Sequence, residues 1–118
     1  MATGYGPAGY DSDRRDYSQV VDLLSTKQCR NLPSYPLRLT GATGRVQNGS
    51  PLICGGYGKA SSESSNSYQS SCYMYDRTSQ TWNWHSNMNT KRQHAASALM
   101  TGALWVTGGY NLNQGYIY

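Results

Sequence analysis

The sequence predicts an all-β chain built from a repeated unit of short strands, and three observations carry that expectation. Composition is the first: 11 Tyr and 3 Trp but no Phe, with a charged fraction of only 14% and 13 Gly. Aromatic bulk with polar tips suits half-wet β-surfaces and many turns better than a helical bundle. The second is Asn48-Gly49, set between two apolar segments. Both central residues of a type I′ turn need a positive φ, so this dipeptide is a strong hairpin signal. The third is a repeat: Gly55-Gly56-Tyr57 recurs as Gly108-Gly109-Tyr110, with "LIC" and "WVT" ahead of the two pairs. At the same offset of 53 residues Asn48-Gly49 falls on Thr101-Gly102, so hairpin and glycine pair recur as one unit.

The elements follow in order along a chain whose 118 residues fit one domain. Residues 1–16 are Gly, Tyr, Asp and Arg without periodicity and read as a disordered arm. "YSQVVDL" is a short β-branched run, and the following "LSTKQCRNLPSYP" is a crossing in which Pro33 and Pro36 exclude helix. "LRLTGATGRVQNGSPLICGG" reads as two strands joined at the Asn-Gly turn. "YGKASSESSNSYQSS" is a polar connection too long for a tight hairpin. "CYMYDRTSQTWNW" supplies a strand, a turn at residues 76–79 and a second strand; "HSNMNTKRQ" crosses over; "HAASALMTGALWVTGGY" brings another strand pair. "KRQHAASALM" has helical propensity, but the repeat assigns it to a strand. Asp22 matches Asp76 at an offset of 54, which carries the repeat upstream. A period near 50 with four short strands is the signature of a propeller blade.

These residues resemble the Kelch repeat, whose pattern is a glycine pair, a spacer to a tyrosine and six residues to a tryptophan. Here Gly55-Gly56 is followed by Tyr75, "DRTSQT" and Trp82, with an 18-residue first spacer that looks like an insertion in the serine segment. The second copy has Gly108-Gly109, eight residues and Tyr118. The N-terminal part departs from the pattern, with Val21 at the tyrosine position and Gln28 or Cys29 at the tryptophan position. The likeness covers residues 17–118 and includes a looser similarity to invertebrate extracellular-type members. It implies a partial Kelch-type β-propeller, one complete four-stranded blade flanked by two half blades. Residues 17–37 would be the last two strands of one blade, 38–90 a whole blade and 91–118 the first half of another. Within the whole blade the strands would be 38–46, 51–56, 71–76 and 81–85. Gly55, Gly56, Gly108 and Gly109 would end strands where a side chain would clash, and Tyr75, Trp82 and Tyr118 would fill the wedge between blades.

Two blade-equivalents leave apolar faces and open edges. A truncated product or partial sequence is therefore expected, covered by remaining blades; alternatively the complementary ends of other copies pair, three chains making a six-bladed ring.

The net charge of +4 is scattered, with "DRRD" and "TKR" the only basic groupings, so no nucleic-acid partner is expected. No apolar run approaches the ~18 residues of a membrane helix, and no membrane partner is expected. "MATGYGPAGYDSDRRDYS" lacks the apolar core of a signal peptide. Cys29, Cys54 and Cys72 contain no CxxC, and His85 and His94 stand at no zinc-site spacing from them. Cys54 and Cys72 on paired strands are able to form a disulfide; the alternative is that each is a small buried residue. Pairing would imply an oxidising compartment and a missing leader, hence an extracellular protein; otherwise a cytoplasmic one. Asn48-Gly49-Ser50 is also a glycosylation sequon, though the turn explains it as well.

The function expected is a protein-interaction module without catalysis or cofactor. By the family resemblance its binding loops are residues 57–70, 86–93 and 110–117, with Tyr57, Tyr68, Lys91, Arg92 and Tyr110 as contact candidates and His94 at the margin. One alternative is a fragment of a copper-type oxidase propeller, which would need convergent imidazoles, and the chain holds 2 His. Another is a substrate adaptor for ubiquitin ligation, an activity that resides in additional domains of a longer parent chain. "GATGRVQNGS" and "GGYGKAS" do not fit a phosphate loop, and no G-x-S-x-G elbow is present.

Overall fold

The computed structural model describes residue 16, residues 18–20 and residues 30–117. Residues 1–15 of the expected arm, Val21, Asp22, Gln28, Cys29 and Tyr118 lie outside the described residues. The fold is all-β, with antiparallel sheets and no helix among the described residues. The strands are β1 (Ser18–Val20), β2 (Arg30–Leu32), β3 (Arg38–Thr40), β4 (Thr43–Gln47), β5 (Ser50–Cys54), β6 (Tyr57–Lys59) and β7 (Ser67–Tyr68). Then come β8 (Ser71–Asp76), β9 (Thr81–Asn87), β10 (Ala96–Met100), β11 (Ala103–Thr107), β12 (Tyr110–Asn111) and β13 (Gly115–Tyr116). The central sheet has the order β4-β5-β8-β9. Beside it are two hairpins, β1-β2 and β10-β11, a three-stranded sheet β3-β6-β7 and the ribbon β12-β13.

The backbone repeats as the sequence does. Asn48 and Gly49 adopt φ of 51° and 77° between β4 and β5, and Thr101 and Gly102 adopt 50° and 77° between β10 and β11. Both hairpins therefore use a turn with two positive φ values, the twist that matches paired strands. Gly55 and Gly56 (φ 69° and 102°) are matched by Gly108 and Gly109 (73° and 96°). The second glycine of each pair faces a carbonyl: a Cβ there would stand 3.0 Å from the Thr40 oxygen at Gly56 and 2.5 Å from the Gln93 oxygen at Gly109. Only glycine meets both demands.

Two expected elements differ from the sequence reading. The strand expected over 38–46 is broken at Gly41 (φ 68°), because β3 leaves the central sheet to pair with β6, Thr40 opposite Tyr57. The serine connection also carries strand structure: Tyr57 pairs with Tyr68, so β6 and β7 form a ribbon on β3. Gly58 permits this, since a Cβ there would overlap the Arg38 carbonyl. The strand expected at 51–56 ends at Cys54, ahead of its glycines, and the one expected at 81–85 extends to Asn87. Asp16, assigned to the disordered arm, accepts a 2.8 Å hydrogen bond from the Tyr35 amide.

Alternation along the central strands sends side chains to two faces. On one face Ile53 and Trp82 pack with Tyr35, Leu37 and Leu39 from the proline crossing, and with partly buried Tyr73 and Tyr75. Tyr35 meets Tyr73 and Trp82 edge-on at 5.4 and 5.1 Å, favourable quadrupole geometry. Polar tips are satisfied as well: the Tyr35 hydroxyl donates to the Ile53 carbonyl (3.2 Å) and the Trp82 indole to the Pro33 carbonyl (2.9 Å). On the other face Leu52, Cys54 and Cys72 pack with partly buried Met74, Met88 and Leu104, the last from β11. The hairpin is also tied down through Thr43 Oγ1 and Ser97 Oγ (2.7 Å) and through Gln47 Nε2 donating to the Gly102 carbonyl (2.7 Å). Its far face is uncovered: Met100 and Trp105 are 52% and 58% exposed.

Burial pushes the Tyr35 phenol well above its ordinary range, with the neighbouring Tyr73 adding to the effect and a backbone hydrogen bond opposing it. The folded state then holds a proton that the unfolded chain releases above pH of about 10, so stability declines as pH rises beyond that point. Tyr35→Phe should lose about 1 kcal/mol at neutral pH and show a shallower alkaline decline in urea titrations taken from pH 8 to 11. Thr101 is a β-branched residue in left-handed backbone, where asparagine is tolerated far better. Thr101→Asn should raise stability by about 1 kcal/mol, read as a higher urea midpoint with unchanged slope.

Candidate functional site

After each glycine pair the chain forms a short ribbon with two tyrosines opposite each other. Tyr57 and Tyr68 face across β6-β7 with ring centroids 4.8 Å apart; Tyr110 and Tyr116 face across β12-β13 at 5.5 Å. The ribbons are anchored alike, Gln69 N donating to the Gly56 carbonyl (2.9 Å) and Ile117 N to the Gly109 carbonyl (2.8 Å). The second connection is five residues shorter, which locates the extra length in the serine segment. Tyr68 and Tyr110 stand 6.1 Å apart and join the ribbons into a row of four rings.

Two depressions are lined by rings of this row. One, of about 490 Å³, is lined by Tyr57, Tyr68, Lys91, Asn111 and Gln114 among others. The other, of about 330 Å³, is lined by Tyr110, Tyr116, Gly109 and His94. Lys91 is the one charged residue in the lining of the larger depression among the described residues. Desolvation holds the Tyr68 phenol above its ordinary range, and the neighbouring Tyr110 and Tyr57 reinforce this.

Tyr57, Tyr68, Lys91 and Tyr110, candidates from separate loops, are thus brought together. Arg92 is placed otherwise. Expected as a contact candidate, it is buried, at 9% exposure, and serves the frame. Its carbonyl accepts from Gly56 N (2.8 Å), its amide donates to the Gln69 carbonyl (3.1 Å) and Nη1 donates to the Gly108 carbonyl (2.8 Å). One residue therefore connects both glycine pairs. A Cβ on Gly55 would stand 2.6 Å from the Arg92 oxygen, which explains why the crossing approaches there.

The sequence reading did not single out Asn111, Gln114 or Tyr116. Asn111 is buried; its Nδ2 donates to the Lys91 carbonyl (2.7 Å) and to Gln114 Oε1 (3.1 Å), while its Oδ1 accepts from Gln114 N (2.8 Å). An Asn followed closely by Gly is a turn signal, and here Asn111 precedes Gly115 (φ 67°), so the loop was readable as an Asx-type turn. Tyr116 was findable only by aligning the ribbons, because the five-residue difference breaks the offset.

Other candidates lie elsewhere. Cys54 and Cys72 form a disulfide between directly opposed residues of β5 and β8, with Cα atoms 4.1 Å apart. It closes the segment carrying Tyr57 and Tyr68 at its base. Asn48 is exposed at the tip of the β4-β5 turn. Tyr75 and Trp82 are opposed across β8-β9 with rings 5.4 Å apart, as part of the core. His85 lines a depression beside the disulfide, whereas His94 lines the one beside Tyr110. Among the described residues no three of His, Cys, Asp and Glu are grouped to hold a metal ion.

No family model and no curated protein matches the chain. Among solved structures, one described as "Structure of YjhT" superposes with a TM-score of 0.69 at 19% identity, over 85% of this chain and 35% of that one. The chain spans about a third of that structure's length, and at this identity the likeness is one of fold.

Asn111→Ala would remove the acceptor of the Gln114 amide and strand the Lys91 carbonyl. We expect a loss of about 1–3 kcal/mol and markedly faster amide hydrogen exchange at Gln114, measured by NMR, with the Ile117 amide less affected.

Proposed function

We propose that the chain is a protein-interaction module of Kelch type, without catalysis of its own, whose contact surface is the tyrosine row with Lys91. The observation that carries this reading is the meeting of Tyr57 and Tyr68 from one repeat with Tyr110 and Tyr116 from the next, on ribbons anchored to the two glycine pairs. Half-buried tyrosines supply contact area at low entropic cost and keep a hydrogen-bonding tip, which is why such residues recur at interfaces.

In this reading the central sheet is one complete blade, β10-β11 is the first half of the next and β1-β2 the second half of the one before. The four-stranded antiparallel order and the two-faced core support it. The bare face at Met100 and Trp105 would then be covered by remaining blades or by another copy. The disulfide supports a working place in an oxidising compartment. The copper-oxidase alternative draws nothing from His85 and His94, which line separate depressions.

Site-specific photo-crosslinking tests the reading. A photoreactive residue at Asn113, in the lining of the larger depression, should give a discrete adduct with a protein, whereas one at the exposed Asn83 on β9 should not. The Asn113 adduct should disappear in the Tyr68→Ser, Tyr110→Ser double variant. Equal labelling from both positions, or an adduct that persists in the double variant, would refute the assignment.

A further inference from the structure

We infer that the tyrosine row takes a proline-rich segment in the polyproline II conformation, with an acidic residue beside the prolines. This rests on reading the row as a protein-interaction surface and names the chemistry of its partner.

Shape is the first argument. The row offers two depressions, of about 490 and 330 Å³, with Tyr68 lining the first and Tyr110, its ring 6.1 Å away, lining the second. A compact ligand would fill one of them; an extended ligand spans both. Successive ring centroids stand 4.8, 6.1 and 5.5 Å apart. Polyproline II has three residues per turn and rises about 3.1 Å per residue, so one face of the ligand returns about every 9 Å, a spacing that suits alternate rings of the row rather than neighbouring ones. Proline rings packed between aromatic rings are the usual content of such grooves.

Hydrogen-bonding capacity is the second argument. The Asn111 amide is committed on both sides, and Gln114 Oε1 already accepts from it. What Gln114 retains at the depression is its Nε2 donors, beside the Lys91 ammonium and the Tyr68 hydroxyl. A polyproline II segment has no internal hydrogen bonds, and its prolines have no N–H, so it presents carbonyl acceptors. Donors on the site meet acceptors on the ligand.

Charge and rigidity complete the case. Lys91 is an uncompensated cation in that lining, which selects an acidic neighbour to the prolines. The ribbons are pinned at Gly56 and Gly109, and Tyr110 exchanges two backbone hydrogen bonds with Gln93 (2.9 and 3.0 Å). A preformed groove and a preformed ligand helix both lower the entropic cost of association.

The test is NMR titration of the full chain with three peptides and one sugar. The peptides are a proline decamer flanked by Glu, the same decamer flanked by Lys, and a Glu-flanked peptide with alternate prolines replaced by Gly; the sugar is an unbranched oligosaccharide. We expect the Glu-flanked decamer to shift the amides of residues 57, 68, 91 and 110 and to bind about tenfold tighter than either other peptide. Tyr68→Ser should weaken binding at least about tenfold. Lys91→Glu, a change at an exposed position, should invert the preference between Glu and Lys flanks without altering the spectrum elsewhere. Equal binding of the proline and glycine-substituted peptides, no binding of any peptide, or shifts at the row produced only by the oligosaccharide would overturn the inference. Photo-crosslinking from Asn113 separates the two levels: an adduct that persists while proline peptides fail removes the ligand class and leaves the interaction surface standing.

Discussion

The close approach of a backbone carbonyl to the second glycine of each pair is the constraint on which the rest of the structure depends. At Gly56 and Gly109 there is no room for a Cβ, and φ lies where side chains are strained. The chain therefore leaves the central strand at a fixed angle, and the next residue, Tyr57 or Tyr110, begins a ribbon set across the end of the sheet. The same backbone groups are then shared. Arg92 accepts from Gly56 through its carbonyl and donates to the Gly108 carbonyl through its guanidinium, so the position of one ribbon is coupled to that of the other. The tyrosine row is a product of backbone sterics before it is one of side-chain chemistry.

The faces of the central sheet obey a different rule. Strict alternation places Ile53 on one side and Leu52 and Cys54 on the other, so each face needs a cover. One cover comes from the proline crossing, whose Tyr35, Leu37 and Leu39 are buried, and the other in part from the β10-β11 hairpin. An ordinary antiparallel sheet has one wet face; this one is covered over part of both, with Val46 on β4 and Trp84 on β9 left 56% and 60% exposed.

Much of this was legible in the sequence, and what was not has identifiable causes. Asn48-Gly49 and the paired glycines announce their conformations because few residues tolerate positive φ; their recurrence at one offset fixed the central strands to within a few residues. Tyr35 was hidden because a proline-flanked segment carries no periodicity, although it proves to be the aromatic centre of one core. The β6-β7 ribbon was hidden because serines alternate there with residues that have no apolar pattern, and the break at Gly41 because a sequence cannot reveal which sheet a strand joins. Tyr57, Tyr68, Lys91 and Tyr110 were nameable from their loops. Arg92 was named with them, but a loop sequence does not reveal that its backbone and guanidinium satisfy groups that two glycine turns leave open.

The disulfide at the base of the serine connection has an evolutionary consequence. Cys54 and Cys72 clamp the two ends of that excursion where it leaves the sheet, so the strands are indifferent to changes at its exposed tip. Closing a longer excursion costs only about (3/2)RT ln n in chain entropy. Residues 61–65, all exposed, can therefore be inserted, deleted or nicked by a protease while the two strands stay covalently joined. The clamp turns the exposed tip of this excursion into an interchangeable cassette beside the tyrosine row, open to change without renegotiating how the chain folds.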